Sequence, residues 1–184
     1  MRHARVLNAG EAIYQANETG MAWRVRNGVV RLDTFNNGEP CYASLAIAGD
    51  ILGCETMLFG AYTFNASALT PCELTPWPEG ESAVSGESLL ASLAISQKRA
   101  VDLVALRGGQ AVGRVISLIR LLTDNTGRLV LPTRQDIADI TDLRFETISR
   151  VIKGLEKTGI LSTIRIDGVH ATRSYMVNLG MQTS

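Results

Sequence analysis

The feature that most constrains this 184-residue sequence is a pair of apolar-striped segments separated by only three residues. Thr133 reads as the N-cap of a helix over Arg134 to Ile140, and Asp136, three positions on, puts a carboxylate at the positive helix end. Thr141-Asp142-Leu143 is the turn. A second helix runs from about Arg144 to Lys157, with Ile148, Val151, Ile152 and Leu155 as its buried stripe and Thr158-Gly159 closing it. Two short helices joined by so tight a turn form a helix-turn-helix candidate. Ile160 to Ile166, the turn Asp167-Gly168 and Val169 to Val177 then predict a terminal hairpin, the wing of a winged helix-turn-helix.

The front of the chain obeys a different period. From Val6 to about Trp77, short apolar stretches are punctuated by Ala9-Gly10-Glu11, Asn27-Gly28, Asn36-Asn37-Gly38, Ala48-Gly49-Asp50 and Phe59-Gly60, the pattern of a small all-β domain. Trp23-Arg24-Val25-Arg26 and Val29-Val30-Arg31-Leu32 around Asn27-Gly28 predict a tight hairpin, because both central residues of that turn need positive φ. Pro71, Pro76 and Pro78 with Gly80 cannot continue a ladder, so the β region is expected to end there. Between about Glu87 and Arg107 turn signals vanish and Leu89, Leu90, Leu93, Val101, Val104 and Leu106 recur at helical spacing. One long helix results, whose stripe needs covering by a second copy of itself or by its own β domain. Gly108-Gly109 reads as a hinge, followed by a helix from Ala111 to Leu122 with Val112, Val115, Ile116, Ile119 and Leu122 on one face and Asn125-Thr126-Gly127 after it. The expected division is a β domain over 1–80, a dimerisation helix over 81–107 and a DNA-binding domain over 108–184.

Composition enters mainly through charge. The chain is formally neutral, yet eight Lys/Arg meet eleven Asp/Glu up to Arg107 (net −3), and ten meet seven from Gly108 onward (net +3). That asymmetry favours polyanion binding by the second half. No run of eighteen apolar residues occurs, and Met1-Arg2-His3-Ala4-Arg5 leads into mixed sequence without an apolar signal core, so a soluble cytoplasmic protein is expected, with no membrane partner. Cys41, Cys54 and Cys72 are odd in number and lack C-x-x-C spacing, which fits reduced thiols, most of them small core residues.

With Ile148, Val151, Ile152 and Leu155 facing inward, the opposite face of the second helix carries Phe145, Glu146, Ser149, Arg150 and Lys153. In a major groove, Arg bonds guanine O6 and N7 bidentately and Glu accepts from cytosine N4, each pair supplying about 1–3 kcal/mol of discrimination. By itself, Glu146 with Arg150 is equally an ordinary i, i+4 surface ion pair contributing about 0.3–0.5 kcal/mol. The run from Arg134-Gln135-Asp136-Ile137-Ala138-Asp139 through Phe145-Glu146-Thr147-Ile148-Ser149-Arg150-Val151-Ile152 decides between them, because it closely resembles the Crp/Fnr regulators, whose recognition helix has the form x-E-T-[IV]-[SG]-R. The resemblance covers nearly the whole chain. It implies an α+β protein: a β-roll (double-stranded β-helix, cyclic-nucleotide-binding-like), a long dimerisation helix and a C-terminal winged helix-turn-helix, acting as a homodimer on double-stranded DNA and on RNA polymerase. Glu146, Ser149 and Arg150 resemble the Fnr-like variant, which implies TTGAT-type half-sites, with Glu146 and Arg150 reading the C/G pair, Ser149 near a thymine and Phe145 in the variable first position against a thymine methyl. Thr133, Arg134, Lys153, Arg165 and Arg173 are the expected phosphate contacts, which position without reading sequence.

Two residues depart from the family pattern. Asp142 stands where the turn usually has Gly, and Arg144 where Ser or Thr usually caps the recognition helix. Ala9-Gly10-Glu11, Asn27-Gly28-Val29-Val30-Arg31-Leu32 and Gly49-Asp50-Ile51-Leu52-Gly53 match the family's recurring β-roll turns. Its cyclic-nucleotide-binding members grip the phosphate with an Arg-Ser pair, whereas this chain has Tyr62-Thr63-Phe64-Asn65-Ala66-Ser67-Ala68 and no cation to offset a buried phosphate. Three cysteines do not make the four ligands of an iron-sulfur sensor, and His3 and His170 offer little for haem. No cofactor and no metal are therefore expected. An enzyme is not expected either, since metal oxygenases on this β fold need two or three His with a carboxylate. For regulation, a small ligand in the β-roll, thiol oxidation at Cys41, Cys54 or Cys72, and no effector at all compete, with the last preferred. A partner-binding module with vestigial DNA binding is the alternative of a different class.

Overall fold

The computed structural model of the chain describes residues 3–78 and 89–178, with the backbone alone at 89–93. It divides between Leu103 and Val104 into two compact units. In the first, eight strands build two four-stranded antiparallel sheets: β1 (Arg5–Leu7), β2 (Ala12–Tyr14), β3 (Ala22–Asn27), β4 (Val29–Asn36), β5 (Glu39–Ile47), β6 (Ile51–Leu52), β7 (Asn65–Ala68) and β8 (Cys72–Trp77). One sheet has the order β1-β8-β3-β6 and the other β2-β7-β4-β5. Every second side chain of each strand points between the sheets, so Leu7, Val25, Leu52 and Leu74 from the first meet Ile13, Val30, Ala46, Ala66 and Ala68 from the second. Val25, Val30 and Leu74 are wholly buried, each contributing about 1.5–3 kcal/mol of apolar transfer.

The tight hairpin of this unit is not where the Asn27-Gly28 signal predicts it. β3 pairs with β6 and β8, while β4 pairs with β5 and β7, so Asn27-Gly28 is a corner at which the chain leaves one sheet for the other. Only Gly28 of the pair takes positive φ (+89°), and its missing Cβ leaves room for the Pro71 carbonyl and Cys72. The two-residue turn is Asn37-Gly38, with φ of +52° and +84°, closed by the pair Asn36 and Glu39 at the end of the β4–β5 ladder. Gly28→Ala is expected to destabilise this unit by more than about 1 kcal/mol in chemical denaturation, since the new methyl is wrong for both the φ and the space.

Pro76 is a second departure from expectation: it lies inside β8, opposite Trp23, and the ladder continues to Trp77. β1 pairs with β8 only from Cys72 to Leu74, so Pro76 has a strand neighbour on one side alone. The cysteines also differ from the core reading, because Cys41 and Cys54 are exposed and only Cys72 is buried. A short helix α1 (Thr56–Phe59) links β6 to β7.

Helix α2 (Leu89–Ala105) follows; the start expected near Glu87 lies outside the described residues, as do the Leu89, Leu90 and Leu93 side chains. Arg99 on α2 pairs with Asp50 of the β5–β6 turn at 3.1 Å. Among the described residues Val101 and Val104 are 66% and 74% exposed, so this part of the stripe is left uncovered by them. In the second unit Leu106 is buried, and α3 (Ala111–Leu122) buries Val115, Leu118 and Ile119 while Val112, on the same stripe in the first turn, is left exposed. Then come β9 (Arg128–Val130), α4 (Arg134–Thr141), α5 (Phe145–Lys157), β10 (Leu161–Thr163), a 3-10 turn at Ala171–Arg173 and β11 (Ser174–Val177). The wing strands are shorter than the terminal hairpin predicts. β11 pairs with β9 as well as β10, an added strand that Leu129, buried in the ladder, secures.

Candidate nucleic-acid interface

Helix α4 begins on a reciprocal cap: the Thr133 hydroxyl accepts from the Asp136 N–H at 3.2 Å, and the Thr133 N–H donates to Asp136 Oδ2 at 3.2 Å. It ends at Asp142, whose φ and ψ of 52° and 47° put it in the left-handed region that Asp tolerates in place of Gly. Two arginines hold that end of α4. Arg107 donates to the carbonyls of Ile140 (3.3 Å) and Asp139 (2.9 Å), and Arg114 to that of Thr141 (3.1 Å), where the helix dipole is negative. Arg114 also donates to Gly109 O at 3.0 Å, tying the hinge glycine to the turn before α5. These arginines escaped the sequence reading, because nothing about an isolated Arg beside a hinge says which carbonyls it will meet.

Helix α5 buries Ile148, Ile152 and Leu155, with Val151 half-buried, against α3 and α4. The same periodicity turns Phe145, Glu146, Arg150 and Lys153 outward, with Ser149 half-buried beside them. Phe145 is 49% exposed, an unusual position for a large ring without a partner. Among the described residues no ion pair joins Glu146 to Arg150. Arg144 is the N-cap of α5, with φ −71° and ψ 144°, and its side chain makes no capping bond.

The expected phosphate contacts fall into separate groups. Lys153 shares the exposed face of α5. Thr133, Arg134 and Arg173 gather at the start of α4: Arg173 Nε donates to Leu131 O at 2.6 Å. Burial lowers the Arg173 pKa and nearby Arg134 lowers it further, with Asp136 opposing both. The structure thus uses Arg173 partly to hold its own backbone. Arg165 stands apart on the wing loop, exposed, in a stretch that includes Asp167 and Gly168.

Residues 113–171 match the family of Crp-like helix-turn-helix domains. The chain is 29% identical over 175 residues to the nitrogen fixation regulation protein FixK of Bradyrhizobium diazoefficiens, covering 85% of this chain and 73% of that one. It is likewise 29% identical over 160 residues to the protein of the same name from Rhizobium meliloti, covering 83% and 75%. The second unit of the chain thus contains a stretch that matches Crp-like helix-turn-helix domains. Among solved structures it superimposes on FixK2 from Bradyrhizobium japonicum with a TM-score of 0.68 at 24% identity, covering 96% of this chain and 92% of that one. A CRP-family transcriptional regulator from Thermus thermophilus gives 0.67 at 24% identity, covering 95% and 92%. These likenesses show that the fold is shared along the length of the chain. The matched residues run from α3 through α4 and α5 to the wing.

In the β unit, the stretch from Tyr62 to Ala68 carries no arginine and starts with a buried aromatic ring. Tyr62 is buried, stacks on Tyr14 with ring centroids 3.8 Å apart, and donates from its hydroxyl to Met21 O at 2.8 Å. A Cβ on Gly20 or Gly53 would overlap the Tyr62 ring, so both glycines make room for it. Burial also pushes the Cys72 thiol up to about 11 and raises that of Cys54, which disfavours the reactive thiolate at both.

Proposed function

We propose that the chain binds double-stranded DNA as a homodimer and reads TTGAT-type half-sites with the exposed face of α5. Arg150 and Glu146 read the C/G pair, Ser149 lies near a thymine, and Phe145 packs on a thymine methyl. The observation that carries this reading is the outward presentation of Glu146 and Arg150 without an ion pair between them, over a helix back wholly buried at Ile148 and Ile152. Thr133, Arg134, Lys153, Arg165 and Arg173 contact phosphates. Two recognition helices roughly 34 Å apart match successive major-groove faces of a near-palindrome. The exposed Val101 and Val104 of α2 support a second copy as the cover of that helix. Bound to DNA in the cytoplasm, the dimer recruits or blocks RNA polymerase.

Binding proceeds without cyclic nucleotide or another effector, a reading supported by the Tyr62 ring in the β unit and by the raised thiols of Cys54 and Cys72. Titration of the ligand-free chain against a TTGAT-N4-ATCAA duplex and a scrambled control, at one near-physiological salt concentration, tests it. Preference of at least about 10³-fold for the first duplex is expected. Equal, weak binding to both sinks either the half-site or the absence of an effector.

A further inference from the structure

We propose that the Tyr175 hydroxyl is a positioning group for DNA binding, which orients the Arg134 guanidinium toward a phosphodiester and ties it to Glu156 of α5. The inference rests on the DNA-binding reading above. Tyr175 lies in β11 between Leu129 of β9 and Thr163 of β10, and is 1% exposed. Phenylalanine would fill that place with the same ring and no polar atom to satisfy, so packing alone does not require the hydroxyl. Its oxygen lies 2.7 Å from Glu156 Oε1 and 3.0 Å from the Thr172 carbonyl. A phenol has one proton to donate, and the carboxylate at the shorter distance makes the stronger, charge-assisted bond. The lone pairs of the phenol are left for a donor, which Arg134 supplies. Burial and Glu156 hold the phenol above its ordinary pKa, and Arg134 works against both.

One buried oxygen therefore joins the wing strand β11 to α5 through Glu156, to the 3-10 turn through Thr172 and to the start of α4 through Arg134. Among the described residues no ion pair joins Arg134 to Glu156 directly, so the phenol is the link between cation and carboxylate. That link offsets the repulsion between Arg134 and the neighbouring Arg173, which is itself committed to the Leu131 carbonyl at 2.6 Å. Arg134 is only half-buried. A guanidinium carries five N–H donors in a planar fork, so a bond to the phenol leaves donors for a phosphate oxygen. A loose arginine side chain gives up rotamer freedom when a phosphate captures it, and one already held in place gives up less. Tyr175 thus acts on DNA affinity through Arg134 without touching DNA.

Tyr175→Phe in the full chain keeps the ring and deletes the link. A double-mutant cycle with Arg134→Ala separates positioning from structure. It is read by anisotropy on the TTGAT-N4-ATCAA duplex and its scrambled control, at a temperature where thermal melts show every variant folded. Tyr175→Phe is expected to weaken binding to both duplexes about fivefold for each DNA-binding unit engaged, as ordering one long side chain implies. In the Arg134→Ala background the same substitution should change affinity by less than about twofold. An equal loss in both backgrounds overturns the proposal in favour of a structural role, and no loss in the wild-type background overturns it outright. A loss confined to the TTGAT duplex overturns it in favour of an effect on base reading through α5. Arg134→Ala that binds like wild type overturns it at Arg134 and leaves the reading of α5 standing. Wild type that binds both duplexes alike removes the half-site but not the cycle, which is read on either duplex, whereas wild type that binds neither overturns this assignment together with the DNA reading of α5.

Discussion

Arg150→Ala is expected to lower affinity for a TTGAT-N4-ATCAA duplex by about 1–3 kcal/mol for each half-site and to erase the preference at one base pair in each. The physical basis is the bidentate fork: alanine removes both donors to guanine, while the wrong base never offered both acceptors. Because Arg150 is exposed and has no ion pair among the described residues, the folded state should change by no more than about 0.5 kcal/mol, so the loss cannot be traced to unfolding. Lys153→Ala, one turn further on, is expected to weaken all duplexes alike and to flatten the salt dependence, as a phosphate contact does. Competition titrations with duplexes altered at single positions measure the first effect. An equal loss on cognate and scrambled DNA for Arg150→Ala would contradict the base-reading role and leave Arg150 as another phosphate contact.

Ile148→Ala should cost about 2–5 kcal/mol, because the side chain is wholly buried between α5 and the rest of its unit and truncation leaves a cavity. A domain of this size holds only about 5–15 kcal/mol in all, so one substitution removes a large share. Ile148 lies on the back of the helix that carries Glu146, Ser149 and Arg150, and loosening it should also blur the reading face. Urea denaturation followed by far-UV circular dichroism gives the stability loss, and DNA titration at a temperature where the variant is still folded gives the effect on recognition. A loss below about 1 kcal/mol would mean that α5 is not packed through Ile148, since Leu or Ile to Ala in a closed core exceeds that value.

Much of the DNA-binding unit is legible in the sequence for local reasons. The Thr133–Asp136 cap, the left-handed Asp142 turn and the stripe of Ile148, Ile152 and Leu155 are all set within a few residues, where spacing and side-chain chemistry act directly. The capless start of α5 at Arg144 is equally readable. The front unit is less so. Asn27-Gly28 and Asn37-Gly38 are nearly the same dipeptide in nearly the same setting, yet the first is a corner between sheets and the second a hairpin turn. What separates them is Pro71 and Cys72 packed under Gly28, more than forty positions along the chain. Val112 likewise shares the stripe of Val115 and Ile119 but, in the first turn of the helix, is left exposed.

The sequence by itself therefore determined the kind of protein this is. Two helices with a three-residue turn and an antiparallel β front unit follow from periods and caps that operate over one or two turns of chain, whereas the proposed reading face of Glu146, Ser149 and Arg150 rests on the resemblance to the Crp/Fnr regulators. The tertiary structure alone decided the strand pairing of β3 and β4, the place of Pro76 inside β8, the addition of β9 to the wing, and the grip of Arg107 and Arg114 on the end of α4. Each of these depends on which distant backbone groups a strand edge or a guanidinium meets, and hydrogen-bond partners far apart in sequence are chosen by packing of the whole unit rather than by local preference.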